Sequence, residues 1–342
     1  MKNRLVSLII AVTLLTAASA ALAGCMQRSA VVVPVQTRTL HLGHPAGSGT
    51  ALDILANRIK EYVETRSDGR YNVLVYPDAT LGHQQMQIEA MIAGTVDIGI
   101  VTSTAMADFA SDLGVLDLPF LFSEWDEVNR FLHSEAIGDI YAISDNVGIS
   151  TLAFMPRGFR HVTSNLGPIN EPSDFDGMSI RVLGTPVFID TFSALGATPE
   201  GIPWEQTLAA VASGLVDGKE NTIVTLNDYR LYQLQRYLSL TGHFFAFAAV
   251  MASPITLSSI PSEDVELIRR AAFDAAISVG AEQREAENEA LENLRRNGMS
   301  VNDIPDKQPF IDMMAPVYDS FFSAHANLSY NAIRSAINGS AP

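Results

Sequence analysis

The stretch Ala93-Gly94-Thr95-Val96-Asp97-Ile98 is echoed about 120 residues later by Ser213-Gly214-Leu215-Val216-Asp217-Gly218. Each copy has a glycine that stops a helix and an aspartate that precedes an extended segment, which is typical of a helix-to-strand junction. The echo predicts two α/β lobes of similar build. A chance similarity between two common junctions is the alternative interpretation.

The residues around each copy alternate between strand and helix patterns. In the first half of the chain we predict strands at residues 39–43, 71–76 and 96–101, with helices that open at 47–50 and span 84–93. In the second half we predict a strand at 179–183, a helix at 186–195 and a helix from Pro203 through Val211. The nearly continuous apolar run at 96–101 indicates a parallel strand buried on both faces. The first half is therefore expected to follow a β-α-β-α-β order with right-handed crossovers, and the second half to resemble it.

A long helix is predicted near the C-terminus. Pro261-Ser262-Glu263-Asp264 is typical of a helix start with an acidic first turn, and Arg295-Arg296-Asn297-Gly298 of a basic last turn with a glycine stop. The stretch between them has no proline and would span about 50 Å at 1.5 Å per residue. Because that length exceeds one small lobe, we expect the helix to bridge both lobes. A separate coiled coil is the alternative, but the apolar spacing is not a sustained heptad.

The composition excludes several classes of protein. The chain has 342 residues, with 38 acidic and 22 basic side chains and a formal net charge of −16. A nucleic-acid groove needs clustered Lys and Arg, so no nucleic-acid partner is expected. One cysteine cannot form an internal disulfide framework or a multi-cysteine zinc site.

The sharpest catalytic and cofactor motifs are also missing from the sequence. It has no His-Glu-x-x-His, Gly-x-Ser-x-Gly or Cys-x-x-Cys. The stretch 214–220 is one residue short of a P-loop and ends in Glu where a hydroxyl is needed. His41 and His44 form the closest histidine pair, but they have no third ligand nearby in sequence. We therefore expect neither a cofactor nor a metal site.

The first 25 residues are typical of an export signal. Lys2 and Arg4 precede an apolar stretch, residues 5–18, which is shorter than the ~20 residues that a bilayer span needs. The signal, residues 1–24, closes on Leu22-Ala23-Gly24-Cys25, which resembles the bacterial lipobox. Cleavage would leave a lipidated Cys25 and a tether through residue 38, with a mature charge of 20 − 38 = −18. A buried core cysteine is the alternative.

Arg181 is the most informative single residue. It lies in Ser179-Ile-Arg-Val-Leu-Gly184, where its apolar neighbours predict a buried strand. A guanidinium stays charged there, so it needs a carboxylate or several acceptors. An external acid held by both arms of the guanidinium would meet that need. An edge-strand arginine that reaches water is the alternative.

A series of short motifs carries a family resemblance. They are, in order, 77–82, 89–97, 116–122, 158–160, 180–182, 216–221 and 232–243. Together they resemble the solute-binding proteins of TRAP transporters, the DctP family, from about residue 38 to beyond residue 300. The resemblance implies an α/β, two-lobed periplasmic-binding-protein-like fold with a long helix that bridges both lobes. It also implies an extracytoplasmic receptor whose cleft closes on a small organic acid, which it delivers to a membrane permease.

The resemblance also implies roles for individual residues. Arg181 would be the principal carboxylate clamp and Arg160 a second positive contact. Asn221 would donate a hydrogen bond from the second lobe, and Glu89 would be a polar contact from the first. Trp204 stands where the family often has an aromatic residue against the ligand, and a core aromatic is the alternative.

This chain departs from the family pattern at two positions. Lys219 replaces a common Gln and, two residues from Asn221 in an extended strand, shares its face. It would then favour a second anionic group on the ligand, unless it is turned to solvent. His44 replaces an Asn that is frequent after the first strand, so a contact from His44 is expected there. Phe188 is expected either to line the pocket or to fill a core.

The expected domain boundaries follow from these assignments. The first lobe would comprise residues 39–157 plus about 248–285, and the second 158–247 plus about 286–340. The protein would be periplasmic or otherwise extracytoplasmic, held at the membrane by the lipid on Cys25 alone. A receptor of the same fold that presents its ligand to a sensor protein, and an uncharacterised enzyme, are the alternative functions.

Overall fold

The computed structural model describes residues 37–339, so the predicted export signal, Cys25 and most of the predicted tether lie outside the described residues. The strands are β1 Arg38–Gly43, β2 Tyr71–Tyr76, β3 Ile98–Thr102, β4 Ser150–Ser164, β5 Ser179–Val182, β6 Thr198–Gly201, β7 Gly218–Thr222, β8 Tyr237–Ala252 and β9 Ser300–Asp303. The α-helices are α1 Ala51–Arg66, α2 Gln84–Ile92, α3 Ser103–Ala107, α4 Trp125–Leu132, α5 Ala136–Asp145, α6 Pro186–Ala194, α7 Trp204–Ala212, α8 Ile223–Asp228, α9 Pro254–Ser258, α10 Ser262–Arg296, α11 Gln308–Asp312, α12 Ala315–Ala324 and α13 Tyr330–Asn338. Across residues 37–339, no helix combines the length and the hydropathy required for a bilayer span.

The sheet contains two three-stranded parallel units of the same order. In the first, β1 lies between β2 and β3 and is parallel to both. In the second, β5 lies between β6 and β7 and is again parallel to both. The strands and helices predicted from periodicity are present in both units, with ends that differ by no more than two residues.

The two copies of the repeated stretch adopt the same local structure. Gly94 and Gly214 both have positive φ, of 74° and 71°, which ends the preceding helix in a conformation that suits glycine. Asp97 Oδ2 accepts a hydrogen bond of 2.8 Å from the backbone nitrogen of His41 in β1. Asp217 Oδ2 accepts one of 2.9 Å from the backbone nitrogen of Ser179, at the start of β5. The echo in the sequence therefore reflects one junction used twice.

Two long antiparallel strands, β4 and β8, connect these units. At one end β8 pairs with β3, and at the other end β4 pairs with β7. The register between β4 and β8 shifts at three places, between Thr151 and Ala153, Pro156 and Gly158, and Arg160 and Val162. Bulges of this kind bend a strand and redirect its side chains. The second and third shifts lie where β4 passes from one unit to the other.

Helix α10 is buried in two separate apolar cores, which confirms the predicted bridging helix. The side chains of Ile268, Ala272 and Val279 pack with β1 and α1 in the first core. Ala290 and Leu294 pack with α8 and β8 in the second. Between the two groups the helix crosses β4 at Gly280, where a Cβ atom would lie 2.6 Å from Pro156 Cγ and 2.7 Å from Cδ. Glycine is needed there because the helix and the strand approach so closely.

The C-terminal helices contact the part of the chain that the sequence assigned to the first lobe. Arg130 Nε of α4 donates to the carbonyl oxygen of Ile337 at 2.9 Å. Arg334 Nη1 donates to the carbonyl oxygen of Leu121 at 2.6 Å, and Tyr318 Oη to that of Pro119 at 2.8 Å. Helices α12 and α13 were predicted to belong to the second lobe, and these contacts tie them to the first as well.

We predict opposite effects for the same substitution at two helical glycines. Gly280→Ala should destabilise the protein by about 1 to 3 kcal/mol, because the new methyl group overlaps Pro156. Gly138→Ala in α5 should stabilise it by about 0.5 to 1 kcal/mol, because no atom lies within 4 Å of the new Cβ. Urea denaturation of both variants measures the two changes. Two shifts of the same sign would contradict the close crossing of α10 over β4.

Candidate functional site

A cleft opens at the carboxyl ends of the parallel strands of both units. Its walls come from the loop after β1, from α2, β3, β5, α7, β7 and α8, from the connecting strand β4 and from α10. The residues that line it include Pro45, Ala46, Thr50, Gln84, Thr102, Arg157, Arg160, Arg181, Leu183, Trp204, Asn221, Thr225, Tyr229 and Gln283. The space between these walls that protein atoms do not fill is about 700 Å³, open solvent at the mouth included. Open α/β sheets bind ligands at this edge.

Arg181 in β5 lines the cleft and has no counter-charge in contact with it. Its side chain is 0% exposed, and its Nε donates to the carbonyl oxygen of Ile202 at 2.8 Å. Its Nη1 and Nη2 have no hydrogen-bond partner among residues 37–339. Burial lowers the pKa of Arg181 to about 10, so the guanidinium remains charged at neutral pH. Two parallel N–H donors are therefore left for an acceptor in the cleft.

Arg160 in β4 lines the same cleft but already has a carboxylate partner. Its Nε contacts Glu220 Oε2, and its Nη2 donates to Glu220 Oε1 at 2.7 Å. Burial acts to raise the pKa of Glu220, but the Arg160 guanidinium outweighs it and holds that pKa well below its ordinary value. His243 Nε2 lies 3.6 Å from Glu220 Oε2. The charge of Arg160 is thus matched within the protein, and its part in ligand binding stays a prediction.

Arg157 is a third cleft arginine, which the sequence reasoning missed. Its Nη2 donates to Thr225 Oγ1 at 3.1 Å. Among the three arginines of the cleft, only Arg160 has a carboxylate within 4.0 Å in residues 37–339. Burial, followed by the nearby charge of Arg160, lowers the pKa of Arg157 to about 10. A regular strand would place residues 157 and 160 on opposite faces, and the signal that could have revealed Arg157 is the adjacent Pro156 and Gly158.

Asn221 and Trp204 also line the cleft, where the family resemblance placed them. Asn221 Oδ1 accepts a hydrogen bond of 2.9 Å from the backbone nitrogen of Thr222. That contact fixes the orientation of the Asn221 amide at the end of β7. The Trp204 ring packs edge-on against Tyr229, with 4.7 Å between ring centroids, so it forms an aromatic wall.

The structure does not bring Lys219 to the cleft surface, which corrects the expectation that it faces the ligand. Its side chain is 0% exposed, and its Nζ has no hydrogen-bond partner among residues 37–339. Nζ lies 5.3 Å from the centroid of the Trp204 ring, which belongs to the cleft lining. Burial, reinforced by the charge of Arg181, lowers the pKa of Lys219 well below its ordinary value. Lys219 is therefore a buried amine within the cleft wall.

His44, Glu89 and Phe188 are also absent from the cleft lining. His44 is buried, with Nε2 3.3 Å from Asp53 Oδ1, and burial lowers the pKa of its imidazole. Glu89 lies on the exposed side of α2 because it is five residues, or about 140° around the helix, beyond the cleft residue Gln84. Phe188 fills the core, with its ring centroid 4.2 Å from that of Phe244. The structure therefore does not support a ligand contact from His44 or Glu89, and for Phe188 it favours the core position that the sequence left open.

The buried carboxyl group of Asp117 interacts electrostatically with the charged side chains of Arg160 and Glu220. It is buried, and Thr104 Oγ1 donates to its Oδ1 at 3.0 Å. Its Oδ2 has no partner among the described residues. Burial raises the pKa of Asp117 to about 7, against the opposing effects of the Thr104 hydrogen bond and the charge of Arg160.

In residues 37–339, no group of three or more His, Cys, Asp or Glu side chains is arranged to hold a metal ion.

The sequence of this chain matches the model of a known protein family over most of its length. The model of the DctP family, described as bacterial extracellular solute-binding protein, family 7, matches residues 42–325. The chain belongs to this family. The resemblance inferred from the short motifs is thereby confirmed. Among curated relatives of this DctP-family protein, a solute-binding protein from Verminephrobacter eiseniae is 29% identical over 288 residues, which cover 84% of this chain and 85% of the relative.

Solved structures of the family share the fold of this DctP-family protein. A TRAP periplasmic solute binding protein from Roseobacter denitrificans with bound β-D-glucuronate is 25% identical, with a TM-score of 0.84, and the match covers 89% of this chain and 100% of that one. A second, from Shewanella oneidensis with bound succinate, is 26% identical, with a TM-score of 0.82 and the same coverage. These similarities confirm the two-lobed α/β fold.

We predict that Asp117 makes the stability of the protein fall as the pH rises from about 4 to about 7. In the unfolded chain the carboxyl group loses its proton near pH 4, whereas in the folded protein it keeps the proton up to about pH 7. The folded state therefore binds more protons in this window, and its advantage is lost as the pH rises. Asp117→Asn should remove this loss and become more stable than the parent, by on the order of 2 to 4 kcal/mol above pH 7.

Urea denaturation between pH 4 and pH 8 measures this effect. The exposed carboxylate Asp139 provides the control, because Asp139→Asn should give a curve parallel to that of the parent. If the difference between Asp117→Asn and the parent does not grow with pH, Asp117 is not a proton-binding group of the folded state.

Proposed function

We propose that this protein binds a small organic acid in the cleft, with a carboxylate of the ligand held by Nη1 and Nη2 of Arg181. The observation that carries the proposal is the lack of any partner for these two buried nitrogens among residues 37–339. A buried guanidinium without acceptors is costly, and a planar carboxylate matches its two parallel donors. Asn221 and Trp204 would position the rest of the ligand.

The charges of the site support an anionic ligand. Arg157, Arg160 and Arg181 line the cleft, and two carboxylates oppose them: Glu220, which is buried against Arg160, and Asp228, which is exposed. The chain as a whole carries a net charge of −16, which repels anions at long range. That repulsion is screened within ~8 to 10 Å at physiological salt, whereas a desolvated pair of opposite charges is not. Affinity for an acid is therefore decided inside the cleft.

The family and the ligands of two relatives support the same class of ligand. Glucuronate and succinate are both small organic acids. We propose in addition that the protein works outside the cytoplasmic membrane, anchored by a lipid on Cys25, and hands its ligand to a TRAP permease without changing it chemically. Recovery of unaltered ligand after incubation with the pure protein tests the last point.

Arg181→Ala should abolish measurable binding of the acid while the protein stays folded. Loss of one member of a buried charge pair typically costs about 2 to 5 kcal/mol, or a loss of tens to thousands in affinity. A thermal-shift screen of organic acids first identifies a ligand, which at 100 times its Kd should add about 2.7 kcal/mol to stability. Calorimetry with that ligand then compares the parent with the variant.

Two further variants sharpen this test. Arg181→Lys keeps the charge but loses the paired donors, so its affinity should lie between those of the parent and Arg181→Ala. Arg296→Ala removes an exposed arginine at the end of α10 and should bind like the parent. An Arg181→Ala protein that binds the acid with unchanged affinity would remove Arg181 from the site.

A further inference from the structure

The cleft holds more positive charge than one carboxylate compensates. Arg160 is matched by Glu220, but Arg157 and Arg181 have no carboxylate within 4.0 Å in the described part of the chain. A ligand with a single carboxylate on Arg181 would leave Arg157 uncompensated. An uncompensated charge in a partly dehydrated site lowers affinity, because water no longer stabilises it fully.

The position of Arg157 turns it toward the cleft. In the pairing of β4 with β8, Pro156 faces Phe247 and Gly158 faces Ala246, so Arg157 is the unpaired extra residue of a bulge. A bulge redirects the side chain of its extra residue. Gly158 has a φ of 112°, which few residues other than glycine adopt, and it fixes the backbone next to Arg157. Arg157 therefore enters the cleft from the strand that joins the two units.

The guanidinium of Arg157 makes one hydrogen bond to the described residues, so most of its N–H donors remain for a ligand. Its Nη2 donates to Thr225 Oγ1 at 3.1 Å, and this is a neutral acceptor that fixes the orientation of the group without cancelling its charge. A guanidinium carries five N–H donors. The nearby acid that lines the cleft, Asp228, is exposed and lies beyond 4.0 Å of Arg157, so its charge acts on Arg157 only from a distance.

We propose that Arg157 binds a second anionic group of the ligand, so that the protein prefers a dianionic acid to an acid of the same length with one charge. The inference rests on the proposed function, because Arg181 must hold the first carboxylate. Arg157 and Arg181 line the same cleft, which supports a single ligand that contacts both. Lys219 is not assigned this role because it does not belong to the cleft lining.

The experiment compares acids that differ only in the charge at one end. Succinate is paired with succinamate, and glutarate with glutaramate, and calorimetry measures each Kd. The parent protein should bind the better diacid about 10 to 100 times more tightly than its monoamide. The affinity of Arg157→Gln for the diacid should fall by most of this factor, while its affinity for the monoamide should change by less than about 3-fold. Arg157→Lys should keep part of the preference, since it keeps the charge.

Two controls separate the possible failures. The first is Arg296→Gln, which removes an exposed arginine at the end of α10 and should leave the preference for the diacid intact. The second is thermal unfolding of each ligand-free variant, which shows whether that variant is folded. If Arg157→Gln is folded and the diacid still exceeds its monoamide by the parent factor, or if both ligands weaken equally, the inference is wrong while the proposed function stands. If no acid binds the parent protein, or if Arg181→Ala binds as the parent does, the proposed function fails and this inference fails with it.

Discussion

The constraint on which the site depends is a charged guanidinium that is fully buried and has no carboxylate within 4.0 Å in the described residues. Arg181 is held by one hydrogen bond to a backbone carbonyl, and its two terminal nitrogens have no partner in residues 37–339. Removing an ion from water costs several kcal/mol unless it is paired. Burial lowers the pKa of Arg181, but only to about 10, so deprotonation does not relieve this cost at neutral pH. In the proposed function, an acid that enters the cleft would relieve it, and this would link the stability of the site to its occupation.

The fold supplies this environment by bringing strand ends from two similar units to one edge. The carboxyl ends of β1, β3, β5 and β7 all reach the cleft, and the long strand β4 adds two further arginines from the junction between the units. Helix α10 packs in the apolar cores of both units and crosses β4 at Gly280. These contacts fix the cleft walls, while the bulges of β4 determine which side chains point into it.

Much of this architecture is readable in the sequence because it follows from periodic patterns. The parallel units, the long helix and the buried position of Arg181 all depend on the spacing of apolar residues and on glycine stops. The errors concern side chains whose direction is set by contacts in three dimensions. A bulge turns Arg157 into the cleft, His44 is buried against Asp53, and Glu89 lies on the exposed face of α2. Lys219 shares a strand with Asn221, but in the folded chain it is buried, with Nζ 5.3 Å from the centroid of the Trp204 ring.

The most direct test of the central claim is a crystal structure of the protein with a bound organic acid. The account predicts one carboxylate of the ligand in the cleft, with its two oxygens about 2.7 to 2.9 Å from Nη1 and Nη2 of Arg181. Glu220 should remain on Arg160 in the same crystal. A ligand whose carboxylate lies elsewhere, with both terminal nitrogens of Arg181 still without an acceptor, would contradict it.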